Sequence, residues 1–225
     1  MSIAKRLPLA LLLPLLAVGC AKDDEITAIG GSIGQEIKRT SCPALGVPAR
    51  TGDVTLFDPP ASRDSRSIDI VATITDLRGA CDDGTGEKHP SDSPTLATTA
   101  TFRIDARRSN AAGARDVVLP YYAVVMRGGT QVVSKSVSQI AVHFDDGKLI
   151  ASANGQAGAT VNRADATLPE GVRDKISKKR RAEDADASVD PMNDPSVKAA
   201  LSKASFELLI GFQLTNEQLA YNATR

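Results

Sequence analysis

The chain has 225 residues with 27 basic and 27 acidic side chains, so no net charge draws it to nucleic acid. Aromatic residues make up 4% and tryptophan is absent, which leaves few rings on which sugars or bases could stack. The length accommodates one domain with a tether, or at most two small domains.

The amino terminus carries the most information. Lys5 and Arg6 give a basic start, Leu7 to Leu16 form an apolar run, and Ala17-Val18-Gly19-Cys20 follows. The run is interrupted by Pro8 and Pro14 and falls well short of the roughly 20 apolar residues that a spanning helix needs. The segment resembles a bacterial lipoprotein signal with a lipobox at Ala17 to Cys20, although Leu more often stands three residues before the cysteine. Plain secretion and a retained anchor are the alternatives. The resemblance implies a signal peptide over residues 1–19 and lipidation of Cys20, with palmitate among the acyl chains. Each buried methylene contributes about 0.8 kcal/mol, and one chain holds only weakly, so two or three chains make a stable anchor. Ala21, where an Asp often retains such proteins at the inner membrane, favours the periplasmic face of the outer membrane. Cleavage would leave 206 residues with 25 basic and 27 acidic side chains.

Two cysteines would then remain, Cys42 and Cys81, in an oxidising compartment. With one possible pairing, a disulfide is expected, and it would stabilise the fold by roughly 3–4 kcal/mol. Two buried thiols are the alternative. A zinc site is less suited, because four-ligand sites use closely spaced Cys or His pairs.

Residues 20–40 are polar and Gly-containing and read as a lipidated tether. A single domain is expected over 41–225. Val54–Phe57 is a short candidate strand. Ser67–Leu77 alternates Ile68, Ile70, Ala72 and Ile74 with Asp69, Val71, Thr73 and Thr75. Asp82–Pro94 is a loop, and alternation returns over Ala97–Arg107. Arg115–Met126 and Thr130–Phe144, joined through Arg127-Gly128-Gly129, predict a hairpin. Pro120 cannot donate to a ladder, so a bulge or an edge is expected there. Adjacent strand residues face opposite sides, so one of Tyr121 and Tyr122 belongs in the core and the other outside. Leu149–Leu168 reads as weaker strands. A charged insertion over 171–194, helical or disordered, contributes little core. Ala204–Leu214 is a strand, and Thr215 with Gln218 has capping-box spacing for a helix over Asn216–Tyr221. This spacing predicts a mainly β chain: an antiparallel immunoglobulin-like β-sandwich, or alternatively a small β-barrel.

Chemical motifs are weak. Gly30-Gly31-Ser32-Ile33-Gly34 matches a nucleophile elbow, but that motif needs a buried sheet beneath a strained serine, and the chain lacks alternating βα units. Only His89 and His143 could serve as its base. A serine hydrolase is therefore a remote alternative. Asp82, Asp83 and Glu87 could meet calcium but lack the EF-hand spacing. Asp184, Asp186, Asp190 and Asp194 read as solvated carboxylates. Lys178, Lys179, Arg180 and Arg181 form the strongest charge cluster, a candidate docking site for anionic lipid or an acidic partner. No catalytic residue, metal site or cofactor is expected.

Gly211-Phe212-Gln213-Leu214-Thr215, Glu217-Gln218-Leu219-Ala220-Tyr221-Asn222, Cys42-Pro43 and Gly79-Ala80-Cys81 carry a further resemblance. They are similar to segments of a group of uncharacterised lipoproteins of Gram-negative bacteria. The resemblance implies a signal, a β-rich middle and a G-F-Q-L-T ending, and it implies no activity. Gln213 and Tyr221 of that ending are candidate interaction residues. The expectation is thus a non-catalytic, membrane-anchored periplasmic lipoprotein acting as an envelope scaffold or protein-interaction module. A small-ligand or polysaccharide module is the alternative; low aromatic content weighs against it.

Overall fold

A computed structural model describes residues 40–83, 93–178 and 188–224. The fold is mainly β. Its strands are β1 (Ala44–Gly46), β2 (Asp53–Phe57), β3 (Ile68–Cys81), β4 (Thr95–Arg108), β5 (Arg115–Arg127), β6 (Gln131–Phe144), β7 (Ile150–Asn162) and β8 (Phe206–Phe212). They form two four-stranded sheets, ordered β1-β8-β5-β6 and β2-β3-β4-β7. Every pairing is antiparallel except the parallel contact of β1 with β8.

Period-2 patterning decides which side of each strand is dry. In β4, Leu96, Thr98, Ala100, Phe102, Ile104, Ala106 and Arg108 are all buried, and the residues between them are exposed or half-buried. In β5, Val117, Leu119, Tyr121, Ala123 and Val125 point into the same core, where they meet Leu208, Ile210 and Phe212 of β8. Phe102 and Tyr121 meet edge to face at 5.1 Å. Tyr121 Oη also donates to the backbone oxygen of Gln156 at 2.9 Å, tying β5 to β7 across the two sheets.

The β5–β6 hairpin turns through Gly128 (φ 61°) and Gly129 (φ 73°), left-handed conformations that side-chain-bearing residues adopt at a cost. The ladder bulge lies between Val125 and Met126. At Pro120 the ladder with β8 has just ended: Tyr121 pairs with Phe212, and Gln213 N–H donates to the Pro120 oxygen. The missing Pro N–H therefore falls where no ladder partner requires it.

Cys42 and Cys81 form a disulfide joining the segment before β1 to the end of β3. The region expected as weak strands after Leu149 is one 13-residue strand, β7, followed by the short helix α1 (Arg163–Ala166), which is capped by Asn162. Part of the charged insertion is helical, α2 (Glu170–Ser177). The helix α3 (Pro195–Ala204) was not expected from the sequence. Asp194 caps it, Pro195 opens it, and Val197, Leu201 and Ala204 are buried. The terminal helix α4 (Asn216–Thr224) opens with the expected capping box. Thr215 N–H donates to Gln218 Oε1 at 2.9 Å, and Gln218 N–H donates to Thr215 Oγ1 at 3.2 Å. Asn222 Nδ2 donates to the carbonyls of Arg50 and Asp53, which docks α4 beside β2.

Candidate interaction surface

The outer faces of the two sheets differ in chemistry. On the second sheet, Thr75, Thr101, Arg103, Asp105, Ser152, Asn154 and Gln156 lie outward across β3, β4 and β7. Arg103 bonds the Asp105 carboxylate at 2.9 and 3.0 Å and reaches Asp76 Oδ2 at 2.6 Å. Ser152 and Thr75 hydroxyls also donate to Asp105, at 2.7 and 2.8 Å. These bonds, Arg103 foremost, then Ser152 and Thr75, hold the Asp105 carboxyl down to about 2. Asp76 sits at a register shift of β3 with φ 51°, a strained conformation for a residue with a side chain. A cleft of about 510 Å³ opens over Asp76, Arg78, Thr101, Arg103, Asn154 and Gln156. Within it Arg103 pairs with both Asp76 and Asp105.

The first sheet has an apolar outer face. Val118, Pro120, Tyr122, Val124 and Met126 of β5 alternate with the core residues of that strand. Beside them lie Val137 and Ala141 of β6 and Leu209 of β8. Exposure is 54% at Val118, 58% at Val132, 49% at Val133 and 55% at Val137, whereas Val124 is buried and Tyr122 and Met126 are half-buried, so the uncovered apolar surface lies at Val118 and along β6. Tyr121 is the buried member of the tyrosine pair, and Tyr122 lies on this outer face. The Tyr122 hydroxyl is 2.9 Å from Thr51 Oγ1, and the Lys135 ammonium rests 5.0 Å from the ring centroid.

β6 is also the edge of its sheet. Residues 131–139 are exposed on both sides of the strand. Ser134, Ser136 and Ser138 share the side of buried Val125, Ala123 and Tyr121, yet solvent reaches them. Only toward the turn into β7 does the second layer cover β6, burying Val142 and Phe144. An edge of this kind presents unpaired backbone donors and acceptors together with apolar side chains, the combination that accepts another strand.

Comparisons with protein-family models, curated proteins and solved structures found no match to this chain.

The residues singled out by sequence fall in several places. Cys20, Ser32, Glu87, His89, Lys179, Arg180, Arg181, Asp184 and Asp186 lie outside the described residues. Lys178 is exposed at the end of α2, its N–H bonded to the Asp174 oxygen at 3.0 Å. Gln213 is half-buried just past β8. Tyr221 of α4 meets Phe57 edge to face at 5.1 Å. These three sit on separate elements, and each has a contact within the fold. His143 is exposed near the end of β6, with Nδ1 2.7 Å from Asp116 and Nε2 3.4 Å from Asp145. The hydrogen bond with Asp116 is the main cause of its raised pKa. Asp83 accepts from the Thr40 hydroxyl at 2.7 Å. Asp190 and Asp194 are not idle solvated carboxylates: each caps a helical turn, accepting from Met192 N–H and Ser196 N–H at 2.8 Å. Among the described residues, no three His, Cys, Asp or Glu side chains gather to hold a metal ion, and no helix is long and apolar enough to cross a membrane.

The apolar strip was missed by residue-by-residue motif reading. Its signal is the run Val117 to Met126, apolar at both parities, which marks a strand that needs cover on both faces.

Proposed function

We propose that the chain is a non-catalytic lipoprotein, anchored through Cys20 at the periplasmic face of the outer membrane, that serves as an envelope scaffold or protein-interaction module. The docking surface is the outer face and free edge of the β1-β8-β5-β6 sheet. One observation carries this reading: nine consecutive residues of β6, 131–139, are exposed with Val132, Val133 and Val137 among them. A burial of roughly 25 cal/mol per Å² of apolar surface favours covering such a strip.

Two measurements test it. Labelled palmitate supplied to cells should enter the protein, and Cys20→Ala should abolish that labelling and release the chain from the membrane fraction. Cysteines placed at Val118 and Val137 should react with short crosslinkers to give a macromolecular adduct, whereas Ser152→Cys on the polar sheet should not. An unlabelled chain refutes the anchor, and unreactive sites at both valines refute the docking face. A second reading, a small-ligand or polysaccharide module, is supported by the cleft over Arg78, Thr101, Asn154 and Gln156. It predicts saccharide-induced shifts in the amide resonances of those residues.

A further inference from the structure

We propose that β6 pairs antiparallel with β6 of a second copy of this chain across a two-fold axis close to Val137. This deepens the interaction-module reading and rests on it.

Side-chain matching points to the second copy. With Val137 opposite itself, Ser136 faces Ser138 of the second copy, Lys135 faces Gln139, and Ser134 faces Ile140. Opposed residues in an antiparallel pair share one face of the sheet, so valine meets valine on the outer side and serine meets serine on the inner side. Charge agrees as well. Lys135 is the single charged side chain between Gln131 and Val142, and its ammonium already rests on Tyr122. The edge therefore has little to recognise in a strongly acidic or basic segment, and it suits a neutral strand alternating Ser and Val, which is β6 itself. In this register no like charges are opposed.

Coverage is reciprocal. The end of β6 near Val142 and Phe144 has a second layer beneath it, and the end near Gln131 to Ser138 has none. An antiparallel two-fold sets the covered end of each copy beside the uncovered end of the other. The turn 145–149 then carries the second copy's β7 toward the exposed Ser134, Ser136 and Ser138. The outer faces join too, giving a row Tyr122–Val137 continued by Val137–Tyr122 of the second copy. The contact is isologous and self-limiting, closing as a dimer rather than a fibre. Pairing over about seven residues buries less than the roughly 800 Å² per partner of a standard interface. The dimer is weak in dilute solution and strengthened where copies share a membrane surface.

The test uses the full chain in cells, with Val137→Cys and a short bismaleimide. The main product should have twice the chain mass, and adding Gln139→Pro, which removes an N–H that faces away from β5, should abolish it. The parent chain and Ser152→Cys should stay at single mass. A Val137→Cys chain with the parent melting temperature that remains monomeric overturns the proposal. If position 137 crosslinks to a different protein, the second copy is wrong and the docking face stands. If neither position 137 nor a cysteine at Val118 captures anything, both readings fail.

Discussion

Arg108 is the residue whose replacement tests the packing argument most directly. It lies on the core side of β4 and is 2% exposed, with no carboxylate among its hydrogen-bond partners. Its guanidinium donates instead to backbone oxygens of Lys148 (2.7 Å), Gly113 (2.7 Å), Ala111 (2.7 Å) and Asp145 (2.9 Å). It also stacks 5.2 Å from the Phe144 ring centroid. One side chain thereby fastens the β4–β5 connection to the β6–β7 turn. Arg108→Met keeps the volume and deletes those four bonds. Hydrogen bonds from a charged donor contribute about 1.5 kcal/mol or more each, about 6 kcal/mol in all. Removing a buried guanidinium recovers several kcal/mol of desolvation, so the net loss should be about 3 kcal/mol. For a chain of this size that corresponds to a fall of about 6–12 °C in melting temperature. Arg108→Lys should resemble Met more than the parent, because an ammonium cannot reproduce the guanidinium fork. Urea denaturation followed by circular dichroism measures both. A loss below about 1 kcal/mol for Met, or a Lys variant equal to the parent, would refute the clamp.

Replacing Cys42 and Cys81 with serine opens a loop of 39 residues in sequence separation and should cost about 4 kcal/mol in the chain-entropy model, read as a lower urea midpoint. Gly155→Ala should destabilise by about 1–3 kcal/mol, since a methyl group there would overlap the Phe102 ring; unchanged stability would show that the ring shifts freely. Asp105 has a folded pKa lowered from 3.8 to about 2. Its contribution is present above about pH 4 and fades as pH falls toward 2, so Asp105→Asn should flatten the acid limb of a melting-temperature profile. His143 is raised above its ordinary pKa, so its stabilisation holds at low pH and disappears as pH rises through the folded value. Asp116→Asn should move its NMR titration downward.

Local chemistry made much of the chain readable. Alternation of Ile68, Ile70, Ala72 and Ile74 marked β3, paired glycines marked the β5–β6 turn, and Thr215 with Gln218 marked the start of α4, because each signal acts within a few residues. The Cys42–Cys81 pairing was equally legible, since two cysteines permit one bond. The strand order β1-β8-β5-β6 against β2-β3-β4-β7 was not, because neighbours such as β5 and β8 are chosen by long-range burial rather than by nearby residues. Helix α3 escaped notice for a similar reason: its buried Val197, Leu201 and Ala204 form a stripe that gains meaning only against the body it packs on. Val137 shows the division most clearly. Its sequence environment marks a strand of either a core or an edge, and only the end of the second layer short of Ser138 leaves it in water, where another strand can reach it.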